Sequence, residues 1–528
     1  MTTFAGPPLD SVEGIGALTL GGFLAEVAGR FGPNEALVHE DERWSYADLD
    51  REATRIARGL VAAGVKPGES VGILMGNRPE AVAAIFGAGR AGAVAVLLST
   101  FAPRPELAYM LDRAEVTIAL GQPRLAKRHP GDDLAALAAD RPSLGRVAVL
   151  GTQSWDDLLA EGDQSGVDLP EVDPDDDALV IFSSGTTDRP KAMLHCHRAP
   201  TRQFWVQAQI FGRHPGTRMF SALPLFWTAG LNTAMGSTLA AGGCWVMQET
   251  FEPGAALALM ARERVTEPYT LPHQTRALAE DPAWDTADLS ALRCVYGKSA
   301  FSRHPSVEGD PGWFMPVGYG LSETCAFFSS HTSTTTREVA KQSMGPLLAG
   351  NELRVIDPTT GAALGQSEWG ELAVKGPTLM RRYLGRTPEE CFDAGGFFRT
   401  GDVGWVDGDG NLHYEGRRTE MIRTAGANVS PAEIEVQLRA CPDVKLARIV
   451  GVPDPRVDQI VVACIVRTDG SEAGEADIQA FLRERVSGYK VPRHVLFFAD
   501  DEIPMTGSEA KVRDDGLLAL VAARLNGE

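Results

Sequence analysis

The sequence has few of the features that mark secreted, membrane-spanning or nucleic-acid-binding proteins. Its 528 residues include only seven cysteines, which are scattered, odd in number and never spaced as C-x-x-C. This usage predicts reduced thiols and a cytoplasmic location. Residues 1–14 lack a basic patch followed by an apolar run, so we predict no signal peptide. The most apolar stretch, residues 81–98, is interrupted by Arg90 and three glycines, which predicts a helix and a buried strand rather than a transmembrane segment.

Basic residues are also in deficit. The chain has 50 Lys and Arg residues against 70 Asp and Glu residues, which gives a formal net charge of −20. Because nucleic-acid binding requires concentrated Lys and Arg, this balance argues against nucleic acid as a partner, but it leaves room for a local cationic pocket. Eight of the acidic residues lie within residues 161–178, which contain two prolines and no basic residue. We predict that this segment is a solvated surface linker.

The arrangement of apolar residues predicts an α/β protein. Helix-like and strand-like segments alternate through the first 120 residues, and this alternation is typical of parallel sheets covered by helices. Ser45 is predicted to cap a helix that ends near Gly64. The other predicted segments are strands at residues 71–75, 93–98, 116–120 and 178–182 and helices at residues 79–89 and 106–113.

The pattern changes after residue 421. The sequence Ser430-Pro431-Ala432-Glu433 is a capping box with proline at the first helical position, and it predicts the start of a helix. Residues 395–416, just before this part, are dense in glycine and aspartate, which predicts turns between short strands. The C-terminal part forms a predicted α+β unit of roughly a hundred residues. Its predicted elements are strands at residues 444–452, 459–467 and 495–498 and a helix near residues 478–486.

The most informative segment is Val180–Lys191, with the sequence VIFSSGTTDRPK. It runs from a predicted strand into hydroxyl residues and a glycine, and Lys191 follows six residues after Gly185. Backbone N–H groups, hydroxyls and a lysine charge together suit a polyphosphate, although a polar turn without a ligand has the same composition. The segment is not a Walker loop, because Lys191 lies between Pro190 and Ala192 rather than in Gly-Lys-Ser/Thr.

This segment resembles the phosphate loop of the acyl- and aryl-CoA synthetases, adenylate-forming enzymes that also include the luciferases and the adenylation domains of peptide synthetases. The resemblance extends from about residue 37 to residue 511, because further motifs follow in the family's order. They are Gly318-Tyr319-Gly320-Leu321-Ser322-Glu323-Thr324, Thr400-Gly401-Asp402, Gly416-Arg417 with Ile422-Arg423 and Gly426, Ser487-Gly488-Tyr489-Lys490-Val491-Pro492, and Ile503-Pro504-Met505-Thr506 leading to Lys511. Each motif is short, and the ordered set carries the resemblance.

The resemblance implies two domains and three ligands. A large, multi-lobed N-terminal domain would occupy residues 1–417, and a small mobile α+β domain would occupy residues 418–528, with Thr419 as the pivot. The ligands would be ATP, Mg²⁺ and CoA. In this family the small domain rotates about a hinge between two half-reactions, exchanging a lysine loop for a face that forms the pantetheine tunnel.

The resemblance also assigns roles to individual residues. Lys511 would approach the carboxylate and the α-phosphate during adenylation, Glu323 would hold Mg²⁺, and Lys191 would grip the β- and γ-phosphates. Tyr319 would stack on adenine, and Asp402 would bond the ribose hydroxyls. The other implied nucleotide and CoA contacts are Ser183, Ser184, Gly185, Thr186, Thr187, Gly297, Gly320, Ser322, Arg417 and Gly426.

The acid pocket is carried over in the same way. Its candidate lining residues are Trp227, Thr228, Ala229, Thr270, Leu271, His273 and Ala326. The chain departs from the family pattern at four positions: Asp188 replaces a glycine of the phosphate loop, Trp227 replaces a histidine, Thr419 replaces Asp or Lys, and the loop before Lys511 is one residue longer. These are the positions where its ATP and acid sites are expected to differ from the family's.

The function that the resemblance implies is an acid–CoA ligase, which forms an acyl-adenylate from a carboxylic acid and ATP and then a thioester with CoA. One alternative is an adenylating enzyme that loads an acyl carrier protein, and another is a non-catalytic nucleotide-binding homologue. A serine hydrolase would need G-x-S-x-G, and residues 320–324 lack the final glycine. The implied partners are small molecules, and a homodimer is left open.

Two histidines next to a cysteine carry a separate prediction. His195 and His197 flank Cys196, but no further ligands follow at a spacing that zinc requires. We therefore predict surface or core roles for both histidines rather than a zinc site.

Overall fold

Strands and helices alternate through the N-terminal part of the computed structural model, which describes residues 2–182, 190–295, 299–307, 316–417, 422–424, 427–454, 458–486, 490–500, 502–503 and 514–525. The strands are β1 (Phe4–Ala5), β2 (Glu35–His39), β3 (Glu42–Ser45), β4 (Ser70–Leu74), β5 (Val94–Leu97), β6 (Val116–Gly121), β7 (Arg146–Val149), β8 (Asp177–Phe182), β9 (Ala192–Cys196), β10 (Arg218–Ser221), β11 (Cys244–Met247), β12 (Glu267–Pro268), β13 (Gly318–Leu321), β14 (Ala326–Ser330), β15 (Glu352–Ile356), β16 (Gly370–Lys375), β17 (Arg382–Tyr383), β18 (Phe398–Val406), β19 (Leu412–Arg417), β20 (Ile422–Thr424), β21 (Ala427–Val429), β22 (Val444–Asp454), β23 (Asp458–Arg467) and β24 (His494–Phe497). The helices are α1 (Leu20–Phe31), α2 (Tyr46–Ala62), α3 (Pro79–Arg90), α4 (Arg104–Arg113), α5 (Pro130–Ala139), α6 (Gln153–Ser165), α7 (Arg198–Ile210), α8 (Ser237–Ala240), α9 (Pro253–Arg262), α10 (Pro272–Glu280), α11 (Arg337–Ala340), α12 (Pro388–Cys391), α13 (Pro431–Leu438), α14 (Glu475–Arg483) and α15 (Asp514–Leu525). A π-helical segment (Ala229–Gly236) precedes α8, and short 3₁₀ turns occur at Leu9–Ser11, Trp284–Thr286, Ala300–Arg303 and Ser322–Thr324.

Two mainly parallel sheets, an antiparallel sheet of order β1-β15-β16-β18-β19 and the β13–β14 hairpin make up the N-terminal part, and the parallel sheets confirm the predicted α/β class. The first has the order β17-β9-β8-β5-β4-β6-β7, with β8, β5, β4, β6 and β7 parallel and β9 and β17 antiparallel at one edge. The second has the order β12-β10-β11-β2-β3, in which only β3 is antiparallel to its neighbour. One large apolar cluster joins residues of both sheets with residues of α1, α2, α3 and α7. The carboxyl ends of parallel strands meet at one edge of each sheet, where ligand-binding loops usually lie.

The start and packing of α2 follow from local sequence. Ser45 caps the helix as predicted: its Oγ accepts from Asp48 N at 3.1 Å, and the Asp48 carboxylate accepts from Ser45 N at 3.0 Å. After the helix, Gly64 adopts a φ of 94°, which glycine tolerates without strain. Helix α3 packs closely on α2 at Gly87, where a Cβ would come within 2.9 Å of Ala53 O.

Two predictions for the middle of the chain need correction. Residues 395–416 form not short strands but the long hairpin of β18 and β19, because the glycine- and aspartate-rich turn is confined to residues 407–410. The Asp407 carboxylate closes this turn by accepting from Asp409 N and Asn411 N at 2.9 and 2.8 Å. The acidic segment 161–178 is only partly a linker, since α6 extends to Ser165 and β8 begins at Asp177.

The C-terminal part forms its own sheet, with β24 parallel to β23 and the order β21-β20-β23-β22 otherwise antiparallel. One apolar cluster joins this sheet to α13 and α14, and another joins it to α15. The predicted capping box at α13 is half present. Ser430 Oγ accepts from Glu433 N at 3.3 Å, but the Glu433 carboxylate accepts from Lys490 Nζ at 2.7 Å.

The cysteines and helices of the described structure agree with the scattered cysteines and the interrupted apolar stretch of the sequence. The seven cysteines are free thiols in the described structure, and all but Cys391 are buried. Of the helices within the described ranges, none has both the length and the apolar character that a membrane crossing requires.

Candidate active site

Glu323, Tyr383 and Lys191 come together at the edge of the first sheet. The Tyr383 hydroxyl donates to Glu323 Oε1 at 2.6 Å, and Lys191 Nζ lies 5.4 Å from the centre of the Tyr383 ring. Strand β17 pairs with β9 so that Tyr383 lies opposite Met193, which brings the ring beside the residue that precedes β9. Burial, together with the charge of Glu323, raises the pKa of Tyr383, so its hydroxyl remains a donor to the carboxylate.

Tyr319, Asp402 and Arg417 form a second cluster. The Tyr319 hydroxyl donates to Asp402 Oδ2 at 2.7 Å, and Arg417 Nε lies 2.7 Å from Asp402 Oδ1. Asp402 and Arg417 are paired across the β18–β19 hairpin, and Tyr319 contacts Tyr414 with ring centres 5.5 Å apart. Tyr319 and Asp402 are buried, whereas the Arg417 side chain is 47% exposed. The Arg417 side chain is therefore the member of this cluster that solvent and a ligand reach most easily.

The charges of this cluster stabilise one another. Burial and the Asp402 carboxylate raise the pKa of Tyr319 well above its usual value, so it is a neutral donor. Burial by itself would lower the pKa of Arg417, but Asp402 together with Tyr414, Glu323 and Tyr319 outweighs burial, and the net shift is upward. Asp402 thus accepts from Tyr319 and forms an ion pair with Arg417, and its predicted role toward ribose stays a prediction.

The β13–β14 hairpin positions Ser322 and Glu323. A Cβ at Gly320 would lie 1.9 Å from Ala326 O, so the close approach of the two strands requires glycine there. The turn leaves Cys325 at φ 58° and Ala326 at φ 125°, and these conformations strain non-glycine residues. Such strain is common at functional sites, and here it accompanies a turn with a candidate phosphate contact and a candidate metal ligand.

His195 supports this turn from within the first sheet. Its Nε2 donates to Ser322 O at 3.0 Å, and both His195 and His197 are fully buried, so of the predicted surface or core roles both histidines have the core role. Burial lowers the pKa of each imidazole from 6.5 to about 4, so both are neutral near pH 7.

A pH dependence of stability follows from His195. A histidine that is buried in its neutral form contributes its full stabilisation of the fold above the unfolded pKa of 6.5. This stabilisation is lost as the pH falls toward the folded-state pKa of about 4. We expect this loss to be about 3 kcal/mol by pH 4. His195→Gln keeps a donor for Ser322 O and removes the titration. Urea unfolding between pH 7 and pH 4 should therefore give a shallower decline for the variant, and equal slopes would contradict the assignment.

The candidate acid residues lie at the carboxyl edge of the second sheet. Trp227 and Thr228 follow β10 and lead directly into the π-helical segment, of which Ala229 is the first residue. Thr270 and His273 follow β12, which is parallel to β10, and Thr270 Oγ1 lies 2.7 Å from Thr275 Oγ1. Ala326 begins β14, and Asn232 Nδ2 of the π-helical segment lies 3.7 Å from the Sγ atom of the preceding Cys325. Partial burial is shared by Trp227, Thr228, Ala229, Thr270 and Ala326, whereas His273 is exposed.

An aromatic cluster adjoins these residues. The Trp227 ring contacts the rings of Phe226 and Phe101 with centres 5.9 and 6.0 Å apart, and the Phe101 side chain is half exposed. Aromatic faces of this kind suit a planar, apolar ligand.

Three features of the site were missed in the sequence. Tyr383 gave no local signal, because its role depends on a pairing with Glu323, 60 residues away. The π-helical segment had a signal in Gly230 and Gly236, where a Cβ would meet Pro224 O at 2.1 Å and the Phe204 ring at 1.9 Å. π-Helical turns often mark functional sites.

The third missed feature is a buried polar chain beside the acid residues. Gln203 Nε2 donates to Phe327 O at 2.7 Å, Gln207 Nε2 donates to Gln203 Oε1 at 2.9 Å, and Thr233 Oγ1 donates to Gln207 Oε1 at 2.7 Å. The chain connects α7, the π-helical segment and β14. Because each group has a partner, it fixes these three elements relative to one another.

Several predicted site residues lie outside the described residues. They are Ser183, Ser184, Gly185, Thr186, Thr187, Gly297, Gly426 and Lys511, together with the departures Asp188 and Thr419.

The described residues suit a Mg²⁺ ion that is shared between protein and substrate phosphates better than a metal ion bound by protein side chains alone. Within the described ranges, no group of three or more His, Cys, Asp or Glu side chains could hold a metal ion. Mg²⁺ is commonly bound by one carboxylate together with substrate phosphates and water. The Glu323 carboxylate, oriented by Tyr383, fits that mode.

The chain is similar to known proteins over most of its length. The family model described as AMP-binding enzyme matches residues 24–384, and the model described as AMP-binding enzyme C-terminal domain matches residues 433–510. Feruloyl-CoA synthase of Amycolatopsis sp is 35% identical over 487 residues, which cover 91% of this chain and 94% of that protein. 4-Coumarate–CoA ligase 1 of Oryza sativa subsp. japonica is 32% identical and covers 89% of this chain and 86% of its own length. The crystal structure of ATP-bound MatB from Rhodopseudomonas palustris has a TM-score of 0.80 at 28% identity, covering 95% of this chain and 99% of that one.

Proposed function

The chain belongs to the AMP-binding enzyme family, and from that premise we propose that it is an ATP-dependent acid–CoA ligase for an aromatic carboxylic acid. The observation that carries the proposal is its similarity, over most of its length, to proteins named feruloyl-CoA synthase and 4-coumarate–CoA ligase. The aromatic cluster of Trp227, Phe226 and Phe101 beside the candidate acid residues supports an aromatic substrate.

The reaction has two steps. In the first, the acid's carboxylate oxygen attacks the α-phosphorus of ATP, the bond to the bridging oxygen breaks, and pyrophosphate leaves. In the second, the CoA thiol loses its proton and attacks the acyl carbon of the adenylate, and AMP leaves. Charge grows on phosphate oxygens in the first step, so placed cations and donors are the main catalytic requirement.

The proposed roles of the described residues follow from their positions. Lys191 binds the outer phosphates, and Ser322 donates its hydroxyl to the α-phosphate. Glu323 holds Mg²⁺, which when bound neutralises phosphate charge. The Tyr383 hydroxyl orients the Glu323 carboxylate, and its ring lies beneath the Lys191 ammonium. Arg417 and Asp402 bind the ribose, with Tyr319 fixing the orientation of the carboxylate.

The proposed architecture divides the chain after Arg417. Residues 1–417 carry the ATP and acid sites, and residues 418–528 form the domain that brings Lys511 to the carboxylate. Gly426 is proposed to contribute to the face that admits CoA. The apolar clusters within the C-terminal sheet support a domain with its own core. We further propose a cytoplasmic location, which the free cysteines support, and leave a homodimer as an open alternative.

A panel of carboxylic acids tests the function. Pyrophosphate release should depend on ATP, Mg²⁺ and an aromatic acid, and with free CoA as the sole acceptor it should yield AMP and an acyl-CoA. Release of pyrophosphate without thioester formation from free CoA would favour an enzyme that loads a carrier protein. ATP binding without pyrophosphate release across the whole panel would favour a non-catalytic homologue.

The variant Tyr383→Phe tests the orientation of Glu323. It removes the hydrogen bond to the carboxylate but keeps the ring beneath Lys191, so metal dependence should change more than acid binding. We expect the Mg²⁺ concentration for half-maximal pyrophosphate release to rise about tenfold, the usual value of a hydrogen bond to a charged group, with the KM for the acid unchanged.

The matched control is Tyr109→Phe. Its hydroxyl donates to Pro190 O at 3.3 Å, on the residue next to Lys191, rather than to Glu323. Calorimetric binding of ATP with and without Mg²⁺ supplies a readout independent of turnover. An unchanged Mg²⁺ requirement in Tyr383→Phe would refute the role of its hydroxyl.

A further inference from the structure

Phe211, the residue after α7, is buried between the acid site and a separate cavity. Its ring centre lies 5.9 Å from that of Phe327, and it packs in one cluster with Cys294, Tyr269 and Phe327. Tyr269 and Phe327 are the chain neighbours of Thr270 and Ala326, two of the proposed acid residues. Phe211 therefore lies against the inner end of the proposed acid site.

The cavity on the other side of Phe211 has a volume of about 410 Å³. It is lined by Phe211, Gly212, Arg213, His214, Thr217, Thr266, Glu267 and Arg293. Its size is that of a pocket for a small organic molecule. It opens to solvent, since Gly212, His214 and Arg293 are exposed, and it lies at the starts of β10 and β12, opposite the strand ends that carry the acid residues.

Phe211 is held firmly in this position. The Arg213 guanidinium lies 4.6 Å from the centre of the Phe211 ring and pairs with Glu267, with its Nε 2.9 Å from Glu267 Oε2. The Arg213 side chain is fully buried and also donates to Thr233 O in the π-helical segment. The Arg213 guanidinium over the ring and the tilted Phe327 ring beside it hold Phe211 as a fixed wall of the site rather than a movable gate.

From this arrangement we infer that Phe211 sets the length of acid that the enzyme accepts. With Phe211 in place, the site takes compact acids of the size of a single aromatic ring with a short side chain. Removal of the ring joins the acid site to the cavity and admits acids with an extension at the far end of the ring. This inference rests on the proposed function, because it concerns the acid site of that reaction.

The test compares two acids in wild type and in Phe211→Ala. One is the best aromatic acid of the panel, and the other is its derivative with a hexyloxy chain at the far end of the ring. We expect the ratio of kcat/KM for the long acid to that for the short acid to rise about tenfold or more in the variant. Phe211→Leu, which keeps more of the apolar volume, should shift the ratio in the same direction by less.

A second substitution locates the effect in the cavity. His214 is exposed and lines the cavity, so His214→Trp should fill it and reverse the gain of Phe211→Ala while leaving the activity of the wild-type background unchanged. If neither folded Phe211 variant changes the ratio, or if His214→Trp fails to reverse the gain, the inference is wrong. Failure of the proposed function gives a different result from failure of this inference, because the wild type would then release no pyrophosphate with any acid.

Discussion

Lys511→Ala is expected to reduce acyl-adenylate formation by about 10²–10³-fold while leaving thioester formation from supplied acyl-adenylate and CoA close to wild type. The lysine supplies a point charge on a flexible stem, and our proposal places it at the carboxylate and the α-phosphate only during adenylation. Loss of a residue that acts in only one half-reaction should lower the rate of that half-reaction and leave the rate of the other unchanged. Pyrophosphate release measures the first step, and thioester formation from the synthetic adenylate measures the second.

The control is Lys445→Ala in the same domain. Lys445 Nζ lies 2.6 Å from Asp500 Oδ2, an exposed pair in which the lysine has no proposed catalytic role. Both half-reactions should therefore keep wild-type rates in the control. Unchanged pyrophosphate release in Lys511→Ala would refute the lysine's role, and equal loss of both half-reactions would point to misfolding or to a role in both steps.

Arg213→Met is expected to lower the free energy of unfolding by about 3–5 kcal/mol. Arg213 is fully buried, and Glu267 is 3% exposed, so removal of the guanidinium leaves a carboxylate without its counter-charge in the interior. The carbonyl of Thr233 and the hydroxyl of Ser237 lose a donor at the same time. Urea unfolding followed by circular dichroism measures the change.

Two further variants separate charge from packing. The double variant Arg213→Met, Glu267→Met removes both charges and should recover a large part of the lost stability. Arg104→Met breaks a surface pair with Asp133, in which the arginine is 54% exposed, and should cost about 1 kcal/mol or less. If the double variant is as unstable as Arg213→Met, the stranded charge is not the cause.

Interactions between residues close in sequence made the ends of α2 predictable. The Ser45 cap and the turn at Gly64 involve residues only a few positions apart, so the sequence carried them directly. The same reasoning overestimated the turns in residues 395–416, because a strand with glycines can still pair on both sides: β18 pairs with β19 across the turn and with β16 earlier in the chain. At α13 it found the Ser430 cap but assigned Glu433 to the wrong partner. Lys490 lies 57 residues away, and its charge attracts the carboxylate more strongly than a backbone N–H does.

By itself, the sequence determined the family and the reaction class and supplied the proposed residues of the site, since ordered motifs carry this information along the chain. Only the tertiary structure decided which groups meet: Tyr383 with Glu323, and Tyr319 with Asp402 across 83 residues. It also decided that Phe211 lies between the residues of the proposed acid site and a cavity. A hydrogen bond or an aromatic wall depends on a separation of a few ångströms in space. Strand register and helix packing set that separation, and both are products of the whole core.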